Sequence, residues 1–267
     1  MNDIRIIDTH CHLDFKELKT RLDSVIKDAK INNVTDMVTI STNLSRIDSI
    51  KEIAESYEEV FFTVGVHPNE AHKDKQFDDY DFIKNYSKHV KCVGIGEGGL
   101  DYYYNKENME LQKRSLEVQI NVARTTNLPM IIHSRDADED MIEIIKSEYK
   151  NGPFKAILHC YSSGEELANC GLDLNFFISF SGILTFKSAR NIQKIAKNIP
   201  LNKILVETDS PYLAPTPVRG SVNEPKNCIH TAQFLSKLRD INFFELSEVL
   251  YNNSLSVYEK IKFWKDK

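Results

Sequence analysis

The feature that most constrains the fold of this chain is an alternation of short apolar runs with longer charged segments. Eight runs rich in β-branched residues have the length of buried strands. They cover residues 4–9, 36–40, 60–66, 90–95, 129–133, 155–159, 176–180 and 203–207. The segments between them place apolar residues on one helical face, as Leu18, Leu22, Val25 and Ala29 do in "LKTRLDSVIKDAK".

Apolar strands that alternate with amphipathic helices predict parallel pairing through crossover connections. Eight such units in 267 residues match the usual size of a closed (β/α)8 barrel, the TIM barrel. An open doubly wound sheet is the alternative, but no Gly-x-Gly-x-x-Gly turn follows the first run. We find no linker or low-complexity segment, and therefore expect one α/β domain, a (β/α)8 barrel, over residues 1–267.

Composition excludes several classes of protein. The formal net charge of -5 argues against a protein that coats nucleic acid through general positive charge. We expect no signal peptide and no membrane partner, because no basic-then-apolar leader and no long uncharged apolar window is present. The five cysteines are odd in number and lack Cys-x-x-Cys spacing, which favours reduced thiols and a cytoplasmic location.

Potential metal ligands lie where several of the predicted strands end. Asp8, His10 and His12 close the first run, and strand alternation would place them on one side. The other candidates at strand ends are Glu97 on the fourth strand, His133 on the fifth, His159 on the sixth and Asp209 on the eighth. The carboxyl ends of barrel strands meet at one rim, which carries the active site in barrel enzymes. Converging imidazoles and carboxylates predict a divalent-metal site there.

The number of candidates predicts two metal ions. The six residues His10, His12, Glu97, His133, His159 and Asp209 exceed what one catalytic ion needs. Glu97 is the natural bridge between two ions, and such a pair can activate water and hold both the attacking and the leaving oxygen. Asp209 could accept the proton of that water. Four histidines favour zinc or manganese over magnesium.

Seven ordered segments resemble the TatD family of metal-dependent hydrolases and deoxyribonucleases, within the amidohydrolase-type barrels. They are "IIDTHCHLD", "GVHPNEA", "GIGEGGLDYYY", "IIHSRDA", "LHCYSSG", "FISFSGILTFK" and "ILVETDSPYLAPTPVRGSVNEP", from about residue 7 to residue 225. The resemblance implies a (β/α)8 barrel, a binuclear divalent metal site and phosphodiester hydrolysis, typically of DNA and in some members as a 3′→5′ exonuclease.

The resemblance also implies roles for single residues. His10 and His12 would hold one ion, and Glu97 would bridge to a second ion held by His133 and His159. Asp209 would bind the first ion and act as the base. Two departures bear on substrate preference more than on metal binding. Asn69 stands where another histidine is often expected, and the small residues of "HCYSSG" are shifted from the usual "HCFSG".

Three further residues are candidates for substrate contacts. His67 ends the third predicted strand, while Arg135 and Arg219 follow the fifth and eighth, and a guanidinium can grip phosphate oxygens with its planar fork. Each arginine could equally be an ordinary surface residue. The aromatic run "DYYY" at 101–104 could stack a base, or could simply cover the top of the barrel.

Two chemistries are compatible with this site. The first is phosphodiester hydrolysis of DNA ends, which the family resemblance favours. The alternative is hydrolysis of a carboxyl ester or amide, as in an aminoacyl-tRNA deacylase. An inactive binding barrel would lack at least one ligand, whereas all six are present. Cleavage of a plain oligonucleotide distinguishes the first two.

Overall fold

Eight parallel strands form one sheet in the computed structural model, which describes residues 4–266. Each strand pairs with the next one along the chain, from β1 to β8. The strands are β1 (Ile6–Cys11), β2 (Val34–Thr39), β3 (Val60–Val64), β4 (Cys92–Asp101), β5 (Met130–Arg135), β6 (Ala156–Leu158), β7 (Phe177–Phe180) and β8 (Ile204–Val206). The predicted (β/α)8 barrel is confirmed.

Helices fill the connections and surround the sheet. They are α1 (Lys16–Lys19), α2 (Leu22–Ile31), α3 (Ile47–Ser56), α4 (Tyr80–Ser87), α5 (Met109–Thr126), α6 (Asp138–Lys150), α7 (Glu165–Asp173), α8 (Arg190–Asn198), α9 (Cys228–Arg239), α10 (Phe243–Val257) and α11 (Glu259–Lys265). Each long helix buries one apolar stripe. In α2 the buried residues are Val25, Ile26 and Ala29, at the spacing that the sequence predicts.

The amino-terminal end of the barrel is plugged. Residues early in most strands, such as Ile7, Phe61 and Leu205, form one apolar cluster with buried residues of the last two helices, and Val38 and Ile40 join it from the end of β2. Within this cluster Tyr258 is fully buried, and its hydroxyl donates a hydrogen bond of 3.1 Å to the carbonyl of Thr9. Within residues 4–266, apolar side chains thus close the amino-terminal end, and the open end is the one at which the carboxyl ends of the strands meet.

Strand β4 runs further than the sequence predicts. The predicted run stops at residue 95, whereas β4 continues to Asp101 and shifts its register against β5 between Ile95 and Gly98. Gly99 has a φ of +151°, and a Cβ there would lie 2.0 Å from the carbonyl oxygen of His133. Because glycine permits this close approach, Glu97 lies within the strand and Asp101 reaches the rim.

The seam between β8 and β1 closes through a few specific hydrogen bonds. Within residues 4–266 it contains one isolated bridge, between Cys11 and Ser210. The backbone N–H of Asp209 donates to the carbonyl of His10 at 2.9 Å. The Asp8 carboxyl accepts the backbone N–H of Thr208 at 2.9 Å and lies 2.6 Å from its hydroxyl. Asp8 also accepts the backbone N–H of His10 at 3.3 Å, so it serves the seam and is not in the group of candidate metal ligands that contains His10 and His12.

The cysteines are free thiols, as expected. Four are buried, and the fifth, Cys160, is half-buried beside the Ser181 hydroxyl at 3.1 Å. Burial raises the pKa of the Cys160 thiol well above its usual value, so it packs as a neutral group. Across residues 4–266, no helix has both the length and the apolar character needed to cross a membrane.

The seam predicts a stability difference between two substitutions of Asp8. Burial raises the pKa of Asp8 to about 8, so its carboxyl is neutral at pH 7 and an asparagine amide resembles it. Asp8→Ala leaves the two donors of Thr208 unpaired and should reduce the free energy of unfolding by about 2 kcal/mol or more. Asp8→Asn should lose less than half of that. Urea unfolding of both variants measures the difference, and equal losses would contradict this account.

Candidate metal centre

The six predicted ligands converge at the open end of the barrel. Each comes from a strand or from the residues that directly follow it, so the sheet itself sets their positions. All of them except His10 line a cavity of about 1690 Å³. His10 is buried just behind the cavity wall, where its ring stacks on that of His159 with centroids 3.9 Å apart.

Glu97 lies between two groups of imidazoles. Its Oε2 is 3.3 Å from Nε2 of His10. Its Oε1 is 2.7 Å from Nε2 of His159, 3.0 Å from Nδ1 of His133 and 3.5 Å from Nε2 of His67. The two carboxylate oxygens therefore face different sets of nitrogen atoms, which is the arrangement that a bridging carboxylate needs.

Asp209 completes the group on the Oε2 side. Its Oδ1 lies 3.3 Å from Nε2 of His12 and 3.6 Å from Nε2 of His10, and these two nitrogens are 3.4 Å apart. Asp209 has a φ of 55°, a left-handed conformation that aspartate adopts more readily than most residues. The turn that follows β8 thus directs this carboxylate toward the histidines of β1.

These side chains fit divalent cations. Three groups have ligand atoms within 4.8 Å of one another: His10, Glu97 and His159; His10, His12 and Asp209; His67, Glu97 and His133. Nδ1 of His10 and of His12 is buried without a hydrogen-bond partner among the described residues. Crowded imidazole nitrogens and carboxylate oxygens are the donor set that suits zinc, manganese and similar ions.

Both carboxylates at the centre are ionised. Burial alone would raise the pKa of Glu97, but the charge of His159 and a hydrogen bond from His10 hold this pKa well below its usual value. Burial also opposes ionisation of Asp209, yet its hydrogen bond with His12 and the charges nearby lower its pKa. Two negative charges held in a buried cluster favour the binding of cations.

The five histidines of the site differ in the direction in which their surroundings shift the pKa. Burial lowers the pKa of His10, and it lowers that of His67 to about 4, so both rings are neutral. Burial opposes protonation of the other three rings as well, but carboxylates outweigh it and raise their pKa. The decisive carboxylates are Asp209 for His12, Asp101 and Glu97 for His133, and Glu97 and Glu207 for His159.

Two outer carboxylates support the candidate ligands, and the sequence analysis missed both. Asp101 Oδ2 lies 3.3 Å from Nε2 of His133, and Glu207 Oε1 lies 3.3 Å from Nδ1 of His159. Such partners orient ligating imidazoles and raise their basicity. The signal was present, because each acid belongs to a motif that already supplies a ligand, "GEGGLD" or "VETD". Asn69 holds Asp101 through a hydrogen bond of 2.9 Å.

Two of the three predicted substrate contacts lie at the cavity, and the third does not. His67 and Arg135 line the cavity, while Arg219 is not among its lining residues. The Arg219 guanidinium lies 3.6 Å from the ring centroid of Phe186. The Arg135 guanidinium lies over the rings of Tyr103 and Tyr104, at 4.0 and 4.6 Å. The "DYYY" run is thus an aromatic cluster that holds Arg135 at the rim.

Sequence comparison shows which family contains this chain. A family profile described as TatD related DNase matches residues 7–259. YabD of Bacillus subtilis, an uncharacterized metal-dependent hydrolase, is 36% identical over 253 residues, which cover 95% of this chain and 98% of YabD. YcfH of Escherichia coli K12 has the same description and is also 36% identical, with 93% of both chains covered. The chain belongs to the TatD family and shares its metal-dependent hydrolase character.

Comparison of structures agrees on the fold. The crystal structure of YJJV, a TatD homolog from Escherichia coli K12, matches with a TM-score of 0.89. The match covers 96% of this chain and 98% of YJJV at 24% identity. A phosphotriesterase homology protein from Escherichia coli matches with a TM-score of 0.63 at 11% identity. At these identities the two structures establish the shared barrel.

The position of Glu97 predicts that its removal empties the site. Glu97→Ala should lose most of its bound metal, because the carboxylate between the two imidazole groups is gone. Elemental analysis after dialysis measures the metal content. Asp173→Ala removes an exposed carboxylate far from the cavity and is the matched control. Full metal content in the Glu97 variant would remove Glu97 from the ligand set.

The outer carboxylate Asp101 predicts a graded effect. Asp101→Asn weakens the charge-assisted contact with His133 and should lower metal affinity by about 10- to 100-fold. The fold should be retained, because an asparagine oxygen can still accept the backbone N–H groups of Tyr103 and Tyr104, now at 3.1 and 2.9 Å. The bond that Asn69 donates to Oδ2 is lost, which should reduce the free energy of unfolding by about 1 kcal/mol. Competition with a chelator gives the affinity, and an unchanged value would show that Asp101 does not support the site.

Proposed function

We propose that this TatD-family chain hydrolyses phosphodiester bonds of DNA, as a 3′→5′ exonuclease with a binuclear divalent metal centre. The observation that carries the proposal is the placement of Glu97, whose Oε2 faces His10 and whose Oε1 faces His133 and His159. The proposed ligands of the first ion are His10, His12 and Asp209. Those of the second ion are His133 and His159, and Glu97 bridges.

The chemistry of the donor set limits the metal and its work. The ions are zinc, manganese or magnesium, and the histidine-rich donor set favours the first two. Two such ions, when bound, supply positive charge for the attacking and leaving oxygens of the phosphodiester and make water more acidic. Side chains of this protein supply the general base and the contacts to the phosphate.

Asp209 is the proposed general base. Its carboxylate is ionised and lines the cavity, so it can accept the proton of the attacking water and later return it to the leaving oxygen. His12, 3.3 Å away, holds the carboxylate in place. The side chain of Asp209 is 16% exposed, whereas that of Glu97 is 2% exposed, so Asp209 is the carboxylate with access to water.

His67 and Arg135 are the proposed phosphate contacts. His67 is neutral, lines the cavity and lies beside Glu97, where its Nε2 can donate a hydrogen bond to a phosphate oxygen. Arg135 brings a positive charge to the rim, where its guanidinium lies 4.0 and 4.6 Å from the centroids of two tyrosine rings. Arg219 has no role in this proposal, because its guanidinium packs on Phe186 outside the cavity lining.

One observation favours a second candidate function. The cavity mouth carries several carboxylates, on the loop after β5, the first turn of α6 and the start of α7: Asp136, Asp138, Glu139, Asp140 and Glu165. Their charge opposes the approach of a long polyanion. A carboxyl ester or amide has no negative charge at its reacting carbon, so hydrolysis of such a bond is the second candidate. A small ester or amide fits the acidic mouth better than an aminoacyl-tRNA, which is itself a polyanion.

Cleavage of labelled DNA tests the two candidates. Single-stranded oligonucleotides with a 5′ or a 3′ label are incubated with magnesium, manganese, zinc or EDTA. We expect metal-dependent cleavage from the 3′ end. Asp209→Asn should slow it by about 10²- to 10⁴-fold, and asparagine suits the left-handed backbone at this position. Asp173→Asn makes the same chemical change away from the cavity and should cleave at the parent rate.

Each alternative outcome has a definite meaning. A rate for Asp209→Asn within about threefold of the parent rate would remove Asp209 from the base role. Intact DNA after incubation with folded, metal-loaded protein, together with hydrolysis of an aminoacyl-tRNA, would establish the second candidate in place of the first.

A further inference from the structure

Two aromatic residues are fixed beside the candidate metal ligands. The backbone N–H of Phe15 donates to the carbonyl of His12 at 3.2 Å, and that of Tyr212 donates to the carbonyl of Asp209 at 3.0 Å. Each ring therefore stands three residues after a candidate ligand, on a tight turn. Both residues line the cavity. Neither was assigned a role by the sequence motifs.

The rings form a continuous surface that leads out from the metal centre. The Phe15 ring stacks on the His12 ring, with centroids 4.7 Å apart and an angle of 19° between the planes. The Tyr212 ring meets Phe15 edge-on, with centroids 6.0 Å apart. Tyr212 is 56% exposed, although it is a large aromatic residue. Exposed aromatic surface inside a functional cavity marks a place where a ligand packs.

The backbone under Tyr212 is held rigidly. The Asn223 side-chain amide donates to the carbonyl of Tyr212 at 2.7 Å and to the carbonyl of Thr208 at 2.9 Å. Asn223 is fully buried, so these bonds are shielded from water. The backbone that carries the ring is thus fixed relative to Asp209, and a ligand that packs on the ring has to order only the side chain.

Charge around the two rings favours a neutral, flat ligand. The Arg46 guanidinium lies 5.3 Å from the Phe15 ring centroid, but it is paired with the buried carboxylate of Asp14 at 2.6 Å. Lys194 is paired with Glu165 at 3.4 Å, so among the cavity-lining residues within 4–266 the cation without a carboxylate partner is Arg135, beside Tyr103 and Tyr104. The wall near Phe15 therefore suits a neutral aromatic group, while the wall near Arg135 suits an anion.

We propose that Tyr212 and Phe15 bind the nucleobase of the nucleotide that flanks the scissile phosphate. The inference rests on the proposed DNA substrate and adds to it a subsite that neither the family motifs nor the metal ligands supply. Aromatic stacking on a base tolerates every base, because each has a π face. The site therefore places the phosphodiester over the metal centre without selecting a sequence.

Steady-state cleavage kinetics test the subsite through a two-by-two comparison. The proteins are the parent and Tyr212→Ala. The substrates are an intact single-stranded oligonucleotide and a series in which one abasic residue occupies each position near the cleaved bond. Tyr212→Phe keeps the ring, and Phe263→Ala removes a ring that is 66% exposed on α11, at the plugged end of the barrel.

We expect the ring and the base to act as one contact. On intact DNA, Tyr212→Ala should raise KM by about 5- to 100-fold and change kcat by less than about threefold. Tyr212→Phe and Phe263→Ala should stay within about twofold of the parent. An abasic residue beside the cleaved bond should cost the parent enzyme a similar factor, and Tyr212→Ala should add little further loss on that substrate.

The outcomes separate this inference from the proposed function. Cleavage of DNA in which the two losses simply multiply would overturn the base subsite and leave the nuclease in place. Loss of activity in Tyr212→Ala on carboxyl esters alone would show that the rings hold an acyl group, and would overturn the subsite as well. A parent protein that leaves every oligonucleotide intact would overturn the proposed nuclease together with this inference.

Discussion

Closure of the eight-stranded sheet is the constraint on which the rest of this structure depends. The first and last strands meet through a few hydrogen bonds, one of which joins the backbones of His10 and Asp209. Residues almost 200 positions apart in sequence thereby become neighbours. An open sheet would leave the β1 histidines at one edge and the aspartate at the other, with no common centre. The candidate metal centre is thus a product of closure.

The second constraint is the energetic cost of burying charge. An ionised carboxylate such as Glu97 is unfavourable in a protein interior unless partners compensate it. Here the imidazoles of four strands supply that compensation, and further carboxylates hold two of the rings from behind. The buried charge of Glu97 is therefore compensated only when all of these side chains are present. This explains why so many polar residues are buried at one end of a barrel whose other end is apolar.

The sequence predicted the architecture and the convergence of the site, but it missed features that depend on contacts between strands. Periodicity revealed all eight strands, because buried parallel strands are short and apolar. It placed the end of β4 too early, since the glycines that let this strand continue toward Asp101 have no apolar signature. Alternation grouped Asp8 with His10 and His12, but β1 shifts register between Asp8 and Cys11. The supporting roles of Asp101 and Glu207 depend on neighbours that only the folded chain brings close.

Within residues 4–266, the apolar plug closes the amino-terminal end of the barrel. The barrel is open at its other end, the rim that carries the candidate metal ligands. Substrate enters and product leaves across the same rim. A polymer chain cannot pass through a barrel that is closed at one end. If the substrate is a polymer, as proposed, it can enter only with a free end or a sharply bent loop. Residues of the plug, such as Tyr258, thus determine from which side a molecule can reach the metal ligands, although they do not belong to the site themselves.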